Sequence, residues 1–270
     1  MKNKNLTRKL TESAVMLALA TVLSYFKLLD LPYGGSITLC SMLPVMLIAY
    51  RYGTPWGLFT GFIYSLIQLL FGLNNLSYAT SAGAAVAIIM LDYVVAFSVI
   101  GLGGLFRKLF KDQTVSMAVG MSLVCALRYI CHVISGCTVW AGVSIPDSKA
   151  LIYSLAYNAT YMLPELLVSL IGAVYISGAV DFGSTALRRK ARESLNRPAF
   201  VVKSLGFLAA AVALITDVLL LAGHLQNPDT GDFDITLLAN VNYTAVFIVT
   251  VVGAFLCAVL VLVSKKIKKA

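Results

Sequence analysis

The fold of this chain is decided by two stretches of sequence, RYICHVISGCTVWAG at 128–142 and YSLAYNATYMLPE at 153–165. Both lie in apolar segments long enough to cross a bilayer, yet together they carry an Arg, a His, a Trp, four Tyr, an Asn and a Glu. Polar and ionisable side chains are costly in hydrocarbon, and inside membrane helices they commonly mark a substrate pathway. The two stretches therefore predict membrane helices that hold a binding site for a polar solute, and they favour transport or capture over soluble chemistry.

The composition is that of an integral membrane protein. Hydrophobic residues make up 59% of the 270 residues and charged residues 12%, whereas soluble domains average about 25% charged residues. The formal net charge of +9 is compatible with nucleic-acid binding, but the Lys and Arg residues occur in short clusters between apolar runs, as is typical of cytoplasmic loops. We therefore exclude nucleic acid as a partner and expect the chain to lie in a lipid bilayer.

Apolar stretches of about twenty residues predict eight membrane spans, near 10–29, 37–50, 53–72, 84–106, 114–139, 150–178, 201–224 and 241–263. The second stretch is short, which indicates a tilted or partly re-entrant segment. If the helices simply alternate in direction, every basic cluster falls on the same side, and that side is the cytoplasm. We therefore expect a multi-pass protein of the plasma membrane with both termini cytoplasmic.

The chain is expected to divide at its one extended polar cytoplasmic segment. The stretch LRRKARESLNRPA begins at Leu187, and it predicts a basic linker over 186–199. A six-helix domain over 1–185 would precede this linker, and a two-helix extension over 200–270 would follow it. The sequence assigns no role to the extension, in which Asp217 is interpreted as a group that pairs the two helices or as a second functional site.

Three polar residues on different predicted helices fall at the same depth. Asp92, His132 and Asn158 each lie eight residues from the expected outer end of their helix, which is about 12 Å at 1.5 Å per residue. A buried carboxylate needs a cation or a donor, and aromatic faces attract delocalised cations. The carboxylate and the neighbouring aromatic residues therefore predict a pocket for a flat, positively charged heterocycle; these aromatic residues are Tyr93, Trp140, Tyr153 and Tyr157.

The same residues also allow structural interpretations. Asp92 could form an ion pair with Arg128, which lies on the same stripe of its helix as His132. His132 could be a lone hydrogen-bonding group between helices, and Trp140 could belong to the aromatic belt at the membrane surface. Pro164 is expected to kink its helix.

Catalytic and metal-binding functions find little support in the sequence. The chain has no HExxH, GxSxG or Walker A pattern, so an intramembrane hydrolase is the alternative from another class. The five cysteines lie in apolar segments without CxxC spacing, so neither a metal site nor a disulfide is predicted. Because no nucleotide-binding motif is present, active transport would need separate ATPase subunits.

Several motifs in order resemble the thiamine-specific S components (the ThiT family) of energy-coupling factor (ECF) transporters. The resemblance covers residues 8 to 180 and rests on the motifs TESAVMLALA, LPYGGSITL, LDY, RYxxHxxxGxxxW and YSLxYNxTYMLPE. It implies a six-helix bundle that takes thiamine from outside the cell. It also implies a transmembrane coupling protein and two ATPase subunits that use ATP, with no catalytic residue and no permanently bound cofactor in this chain.

The resemblance also assigns residues. It places the acidic ligand at Asp92 and other thiamine contacts at Tyr93, His132, Trp140, Tyr153 and Asn158, with Tyr78 as a further candidate. Apart from the resemblance, Tyr157 and Arg128 are further candidate binding residues. Ala14 and Ala18 would present a small-residue face of the first span to the coupling protein, although the same spacing also fits packing against the protein's own helices.

Two positions depart from the family's pattern. The acidic position commonly holds Glu and here holds Asp92, and Gly35 replaces a Trp that some members carry before span two. The outer loop at 73–83 is also longer. These departures bear on affinity and fine specificity, and the alternatives within transport are an S component for another vitamin or a stand-alone carrier of a similar heterocycle.

Overall fold

The computed structural model describes residues 2–31, 34–141, 150–183, 187–190, 197–225 and 235–269. The chain divides into two compact units, Met1–Arg189 and Lys190–Ala270. The sequence-based division into a binding domain over 1–185, a linker over 186–199 and an extension over 200–270 stays a prediction.

The first unit is a bundle of six helices with two short antiparallel strand pairs. The helices are α1 (Lys2–Tyr25), α2 (Leu43–Tyr52), α3 (Thr54–Phe71), α4 (Ala82–Lys108), α5 (Gln113–Thr138) and α6 (Ala150–Ala179). Two of them begin at side-chain caps, because Ser81 accepts a hydrogen bond from the Ala84 amide and Asp112 accepts bonds from Thr114 and Val115.

The ends of the first two predicted spans were wrong. Helix α1 ends at Tyr25, and the residues up to 29 belong instead to strand β1 (Lys27–Asp30), which pairs antiparallel with β2 (Ser36–Thr38). Helix α2 begins only at Leu43 and has 10 residues, or about 15 Å of helix, which is half of a bilayer core. A short strand and a helical turn are equally apolar in sequence, so hydropathy does not separate them.

Six helices of the described residues are long and apolar enough to cross a membrane, namely α3 to α6 and two in the second unit. The polytopic character predicted from composition is thus confirmed. The count of eight spans and the cytoplasmic location of both termini stay predictions.

Helix α4 changes its winding along its length. It starts as an α-helix, widens to a π-helix over Ile89–Val95, and ends as a 3-10 helix over Val99–Lys108. A π-helical turn inserts an extra residue into the helical ladder and is common at functional sites. Asp92 and Tyr93 lie within this widened turn.

Glycines allow the backbones of α2, α3 and α4 to touch. A methyl group at Gly101 would overlap the backbone of Gly57 and Leu58, and one at Gly104 would overlap the carbonyl of Ala49. Lipid tails are as apolar as the side chains, so the hydrophobic effect does not drive helices together in a membrane. Close packing of this kind is what holds membrane helices together. This packing fixes α4 against α3 and so positions the π-helical turn.

A polar network ties α1 to α2. Glu12 accepts hydrogen bonds from Arg8 (2.7 Å), from Arg51 (2.6 Å) and from the Tyr52 hydroxyl. Arg51 lies between two apolar runs of the sequence, and it is buried and forms an ion pair with Glu12. Because this network holds one side of α1 to the bundle, the opposite side is left facing outward.

The second unit is a pair of helices, α7 (Arg197–Leu225) and α8 (Tyr243–Lys269). The hydroxyl of Thr250 on α8 donates to Asp217 on α7 at 2.6 Å. Gly253 lies so close to Ala213 that no side chain would fit. Asp217 thus contributes to the pairing of these two helices.

Candidate functional site

The first unit encloses a cavity of about 460 Å³, a size typical of small-molecule sites. Its walls come from α1, α3, α4, α5, α6 and the β1–β2 hairpin. Of the residues predicted from sequence, seven line it: Asp92, Tyr93, Arg128, His132, Trp140, Tyr157 and Asn158.

The carboxylate of Asp92 is the centre of the polar wall. Ser135 donates a hydrogen bond to Oδ2 at 2.7 Å, and the indole Nε1 of Trp140 donates to the same oxygen at 3.1 Å. The Nδ1 atom of His132 lies 3.1 Å from Oδ1. Donors from α5 and from the residues just after it thus hold the carboxylate in one orientation at the cavity wall.

The second ring nitrogen of His132 has no hydrogen-bond partner among the described residues. This atom, Nε2, is buried. Because a carboxylate accepts hydrogen bonds, Nδ1 carries the proton toward Asp92, and in the neutral ring Nε2 is then an acceptor. A buried polar atom without a partner is costly, so Nε2 suits a ligand that supplies an N–H or O–H group.

Asn158 joins α5 to α6. Its amide nitrogen donates to the carbonyls of Ser154 (2.8 Å) and His132 (3.3 Å), and its oxygen accepts from the Tyr161 hydroxyl. The side chain therefore fixes the spacing of the two helices beside His132, while also lining the cavity.

Tyr93 is anchored by the segment that follows α3. Its hydroxyl accepts from the Asn75 side chain at 2.8 Å and donates to the Gly72 carbonyl at 3.1 Å. The ring also stacks on Phe97, with centroids 6.4 Å apart. These contacts leave an aromatic surface in the cavity wall next to Asp92.

The ion pair between Asp92 and Arg128, which was the alternative structural interpretation, does not form. The Arg128 guanidinium lies over the Phe97 ring, 4.4 Å from its centroid, and Nη1 is 2.8 Å from the sulfur of Met42. The π-helical turn and the donors on Ser135, His132 and Trp140 direct the carboxylate elsewhere, so the purely structural interpretation of Asp92 as a partner of Arg128 was wrong.

Two predicted ligand residues are not part of the cavity wall as the structure shows it. Tyr153 is buried within α6, with 4% of its surface exposed. Tyr78 lies in a 3-10 turn, Leu73–Tyr78, with its ring 5.6 Å from that of Trp140. Trp140 itself is 8% exposed, which argues against a belt residue facing lipid. The assignments of Tyr78 and Tyr153 to thiamine stay predictions.

Several lining residues were missed. These are mostly polar residues from the hairpin, from α3 and from the turn after it, and they include Thr38, Ser41, Gln68, Asn74 and Asn75. Single polar residues in short segments carry no periodic signal, so sequence reasoning did not find them. Glu165, the glutamate at the end of the stretch 153–165, was given no role from sequence, and it also lines the cavity.

The neighbours of Gly35 explain why this position holds a glycine. A side chain at this position would overlap the hydroxyl of Tyr157 and the ring of Tyr161, and the Gly35 amide donates to the Tyr157 hydroxyl at 3.3 Å. The two tyrosines thus occupy the space in which a larger residue at position 35 would lie.

The arrangement of Ser135, His132 and Asp92 differs from a catalytic triad. A triad places the serine hydroxyl on the histidine, which removes its proton. Here both Ser135 and His132 contact the carboxylate instead. Among the described residues no group of three His, Cys, Asp or Glu side chains could hold a metal ion. The Asp92 carboxylate beside the rings of Tyr93 and Trp140 in the cavity lining is suited to binding a cation.

The known proteins to which this chain is similar are thiamine transporters. The family described as "Thiamine transporter protein" matches residues 10–181. The thiamine transporter ThiT of Bacillus subtilis (strain 168) is 35% identical over 181 residues, which cover 63% of this chain and 90% of that protein. The solved structure of ThiT from Listeria monocytogenes aligns with a TM-score of 0.52 and 26% identity, over 63% of this chain and 93% of that one.

The matched region contains the whole cavity, whose lining residues run from Ser24 to Glu165. It ends before the second unit begins. The resemblance inferred from the sequence motifs is confirmed, as is the prediction of a transporter rather than an enzyme. The chain belongs to the thiamine transporter family.

Proposed function

We propose that this chain is the substrate-binding S component of an ECF importer and that it captures thiamine in the Asp92 cavity from outside the cell. The observation that carries the proposal is the Asp92 carboxylate, which Ser135, His132 and Trp140 hold in the wall of a cavity lined by aromatic residues. A fixed negative charge in a medium of low dielectric attracts a cation far more strongly than it does in water.

The chemistry of thiamine matches the groups in the wall. Its thiazolium ring is a flat delocalised cation, which suits Asp92 and the faces of Tyr93 and Trp140. Its aminopyrimidine ring carries N–H donors, which suit the unpartnered Nε2 of His132. Thiamine therefore brings a positive charge to Asp92 and a hydrogen-bond donor to the Nε2 atom of His132.

Delivery to the cytoplasm is assigned to partner subunits. Ala14 and Ala18 are exposed on α1, whereas Ser13 and Ala20 on the same helix are buried. The small-residue pair thus faces away from this protein's own helices, which supports a docking face for the coupling protein over internal packing. In this proposal two ATPase subunits supply the energy, and both termini of the chain are cytoplasmic.

Uptake of labelled thiamine by cells tests this function. We expect uptake only when the ATPase and coupling subunits are expressed together with this chain, and we expect the vitamin to be recovered unchanged after binding to the purified chain. Uptake without partner subunits would instead indicate a stand-alone carrier, and chemical conversion of the vitamin would indicate an intramembrane enzyme.

Removal of the second unit should leave thiamine binding intact. A chain that ends at residue 199 keeps every residue that lines the cavity, so its affinity measured by calorimetry should lie within about twofold of that of the full chain. The full-length protein prepared in the same detergent is the control. A large loss of affinity in a truncated chain that still unfolds cooperatively would show that α7 and α8 complete the site.

Trp140→Ala should weaken thiamine binding, and Trp140→Phe should recover part of the loss. Both changes remove the indole donor to Asp92, but Phe keeps a ring face for the cation, which is worth about 0.5–2 kcal/mol. We therefore expect the affinity order Trp, Phe, Ala in equilibrium titrations. Equal affinities for the Phe and Ala variants would mean that the ring makes no direct contact with the ligand.

A further inference from the structure

A second pair of charged side chains lines the cavity away from the Asp92 cluster. Arg128 lies four residues before His132 on α5, and Glu165 lies seven residues after Asn158 on α6. The two helices run in opposite directions, so both residues are displaced toward the same end of the cavity, by about 6 Å and about 10 Å at 1.5 Å per residue. The cavity therefore has two polar levels.

Arg128 is buried with unused hydrogen-bonding capacity. The side chain is 8% exposed, and its Nε atom is buried without a partner. Its guanidinium lies over the Phe97 ring, and its Nη1 atom donates to the sulfur of Met42, which as a thioether is a weak acceptor. A buried guanidinium is costly unless oxygen acceptors surround it, so this residue lacks an acceptor that a ligand could supply.

Glu165 is held in place by hydrogen bonds, but its carboxylate oxygens can accept further ones. Its two oxygens accept hydrogen bonds from the amide and the hydroxyl of Thr38, the latter at 2.7 Å. Each carboxylate oxygen has a second lone pair that can accept another donor. No ion pair joins Glu165 to Arg128, both of which are described residues. Both line the cavity, so a ligand group that reaches both would meet an acceptor on one and a donor on the other.

We propose that Arg128 and Glu165 form a hydroxyl-selective subsite, which binds the hydroxyethyl arm of thiamine and discriminates against its phosphate esters. This inference rests on the proposed function of the cavity. A hydroxyl group satisfies both residues at once, because it donates to Glu165 and accepts from Arg128. A methyl group in its place satisfies neither residue.

Charge balance gives the discrimination against phosphate. The lining residues include two carboxylates, Asp92 and Glu165, and one enclosed cation, Arg128. The other lining cation, Lys27, is 45% exposed and is paired with Asp30. A monocation with a neutral arm therefore leaves the cavity balanced. A phosphate arm brings a charge of about −1.5 to −2 beside Glu165, which is more than the single positive charge of Arg128 offsets.

Calorimetric titration of the purified full-length chain with three probes tests the subsite. The probes are thiamine, the analogue whose arm ends in a methyl group, and thiamine monophosphate. We expect thiamine to bind at least about fivefold tighter than either of the others, since an unsatisfied buried partner typically costs about 1–3 kcal/mol and about 1.4 kcal/mol is a factor of ten. This comparison needs no variant, so it does not depend on the folding of a mutant.

Two variants then assign the effect to its residues. In Glu165→Gln the preference for thiamine over the monophosphate should shrink at least threefold, and in Arg128→Met the preference over the methyl-terminated analogue should shrink in the same way. Asp92→Asn is the matched control, because it should weaken thiamine and the methyl-terminated analogue by similar factors.

Equal binding of the three probes to the wild-type chain would overturn the subsite. Preferences that are unchanged in both folded variants would overturn it as well, since the hydroxyl would then be contacted elsewhere. A wild-type chain that binds none of the probes would instead contradict the proposed function.

Discussion

Asp92→Asn should weaken thiamine binding at least tenfold. The change keeps nearly the same shape but removes the negative charge, and loss of one member of a buried charged pair typically costs about 2–5 kcal/mol. It also places an amide beside donors on Ser135 and Trp140 that now contact the carboxylate. Affinity should be measured by equilibrium titration of the purified variant.

Asp92→Glu is the matched control for this prediction. It keeps the charge and adds one methylene. We expect it to bind within about threefold of the wild-type chain, provided that the π-helical turn accepts the longer side chain. An Asp92→Asn variant that is folded and binds thiamine with unchanged affinity would remove the main physical reason for a cationic substrate.

Ala14→Leu with Ala18→Leu should abolish thiamine uptake while leaving thiamine binding intact. The two residues are exposed on α1, and large side chains there would prevent the close helix approach on which association in lipid depends. Uptake in cells that express the partner subunits and binding to the purified chain should both be measured.

The control for this double variant lies on the same helix. Val15→Leu with Val22→Leu enlarges two residues that are also exposed, but it leaves the small-residue pair in place, so uptake should persist. Parallel loss of binding and uptake in the Ala14 and Ala18 variant would show that this face packs inside the protein.

The long apolar runs were sufficient to predict most helices of the first unit. The run at 84–106 became Ala82–Lys108 and the run at 150–178 became Ala150–Ala179. The region between α1 and α2 was not predicted, because a strand such as Lys27–Asp30 is too short for its alternation to stand out. The packing of Glu12 against Arg51 was also invisible, since ion pairs between distant segments leave no local pattern.

Depth counting predicted part of the site. Asp92, His132 and Asn158 were placed at one level from helix length alone, and all three line one cavity. What could not be predicted is which neighbours each side chain selects. The π-helical turn breaks the 3.6-residue period, so no helical wheel shows that Asp92 contacts Ser135 rather than Arg128.

The central claim is that thiamine binds beside Trp140 and Asp92, and quenching of tryptophan fluorescence by thiamine tests it most directly. The chain has two tryptophans, and Trp56 lies away from the cavity wall, where its indole donates to Ser13 at 2.9 Å. In a Trp56→Phe background the account predicts saturable quenching of Trp140 at one thiamine per chain, and loss of that quenching when Asp92→Asn is added at the same thiamine concentration. A folded Trp56→Phe chain that shows no quenching by thiamine, or quenching that is seen only in chains that keep Trp56, would contradict the account.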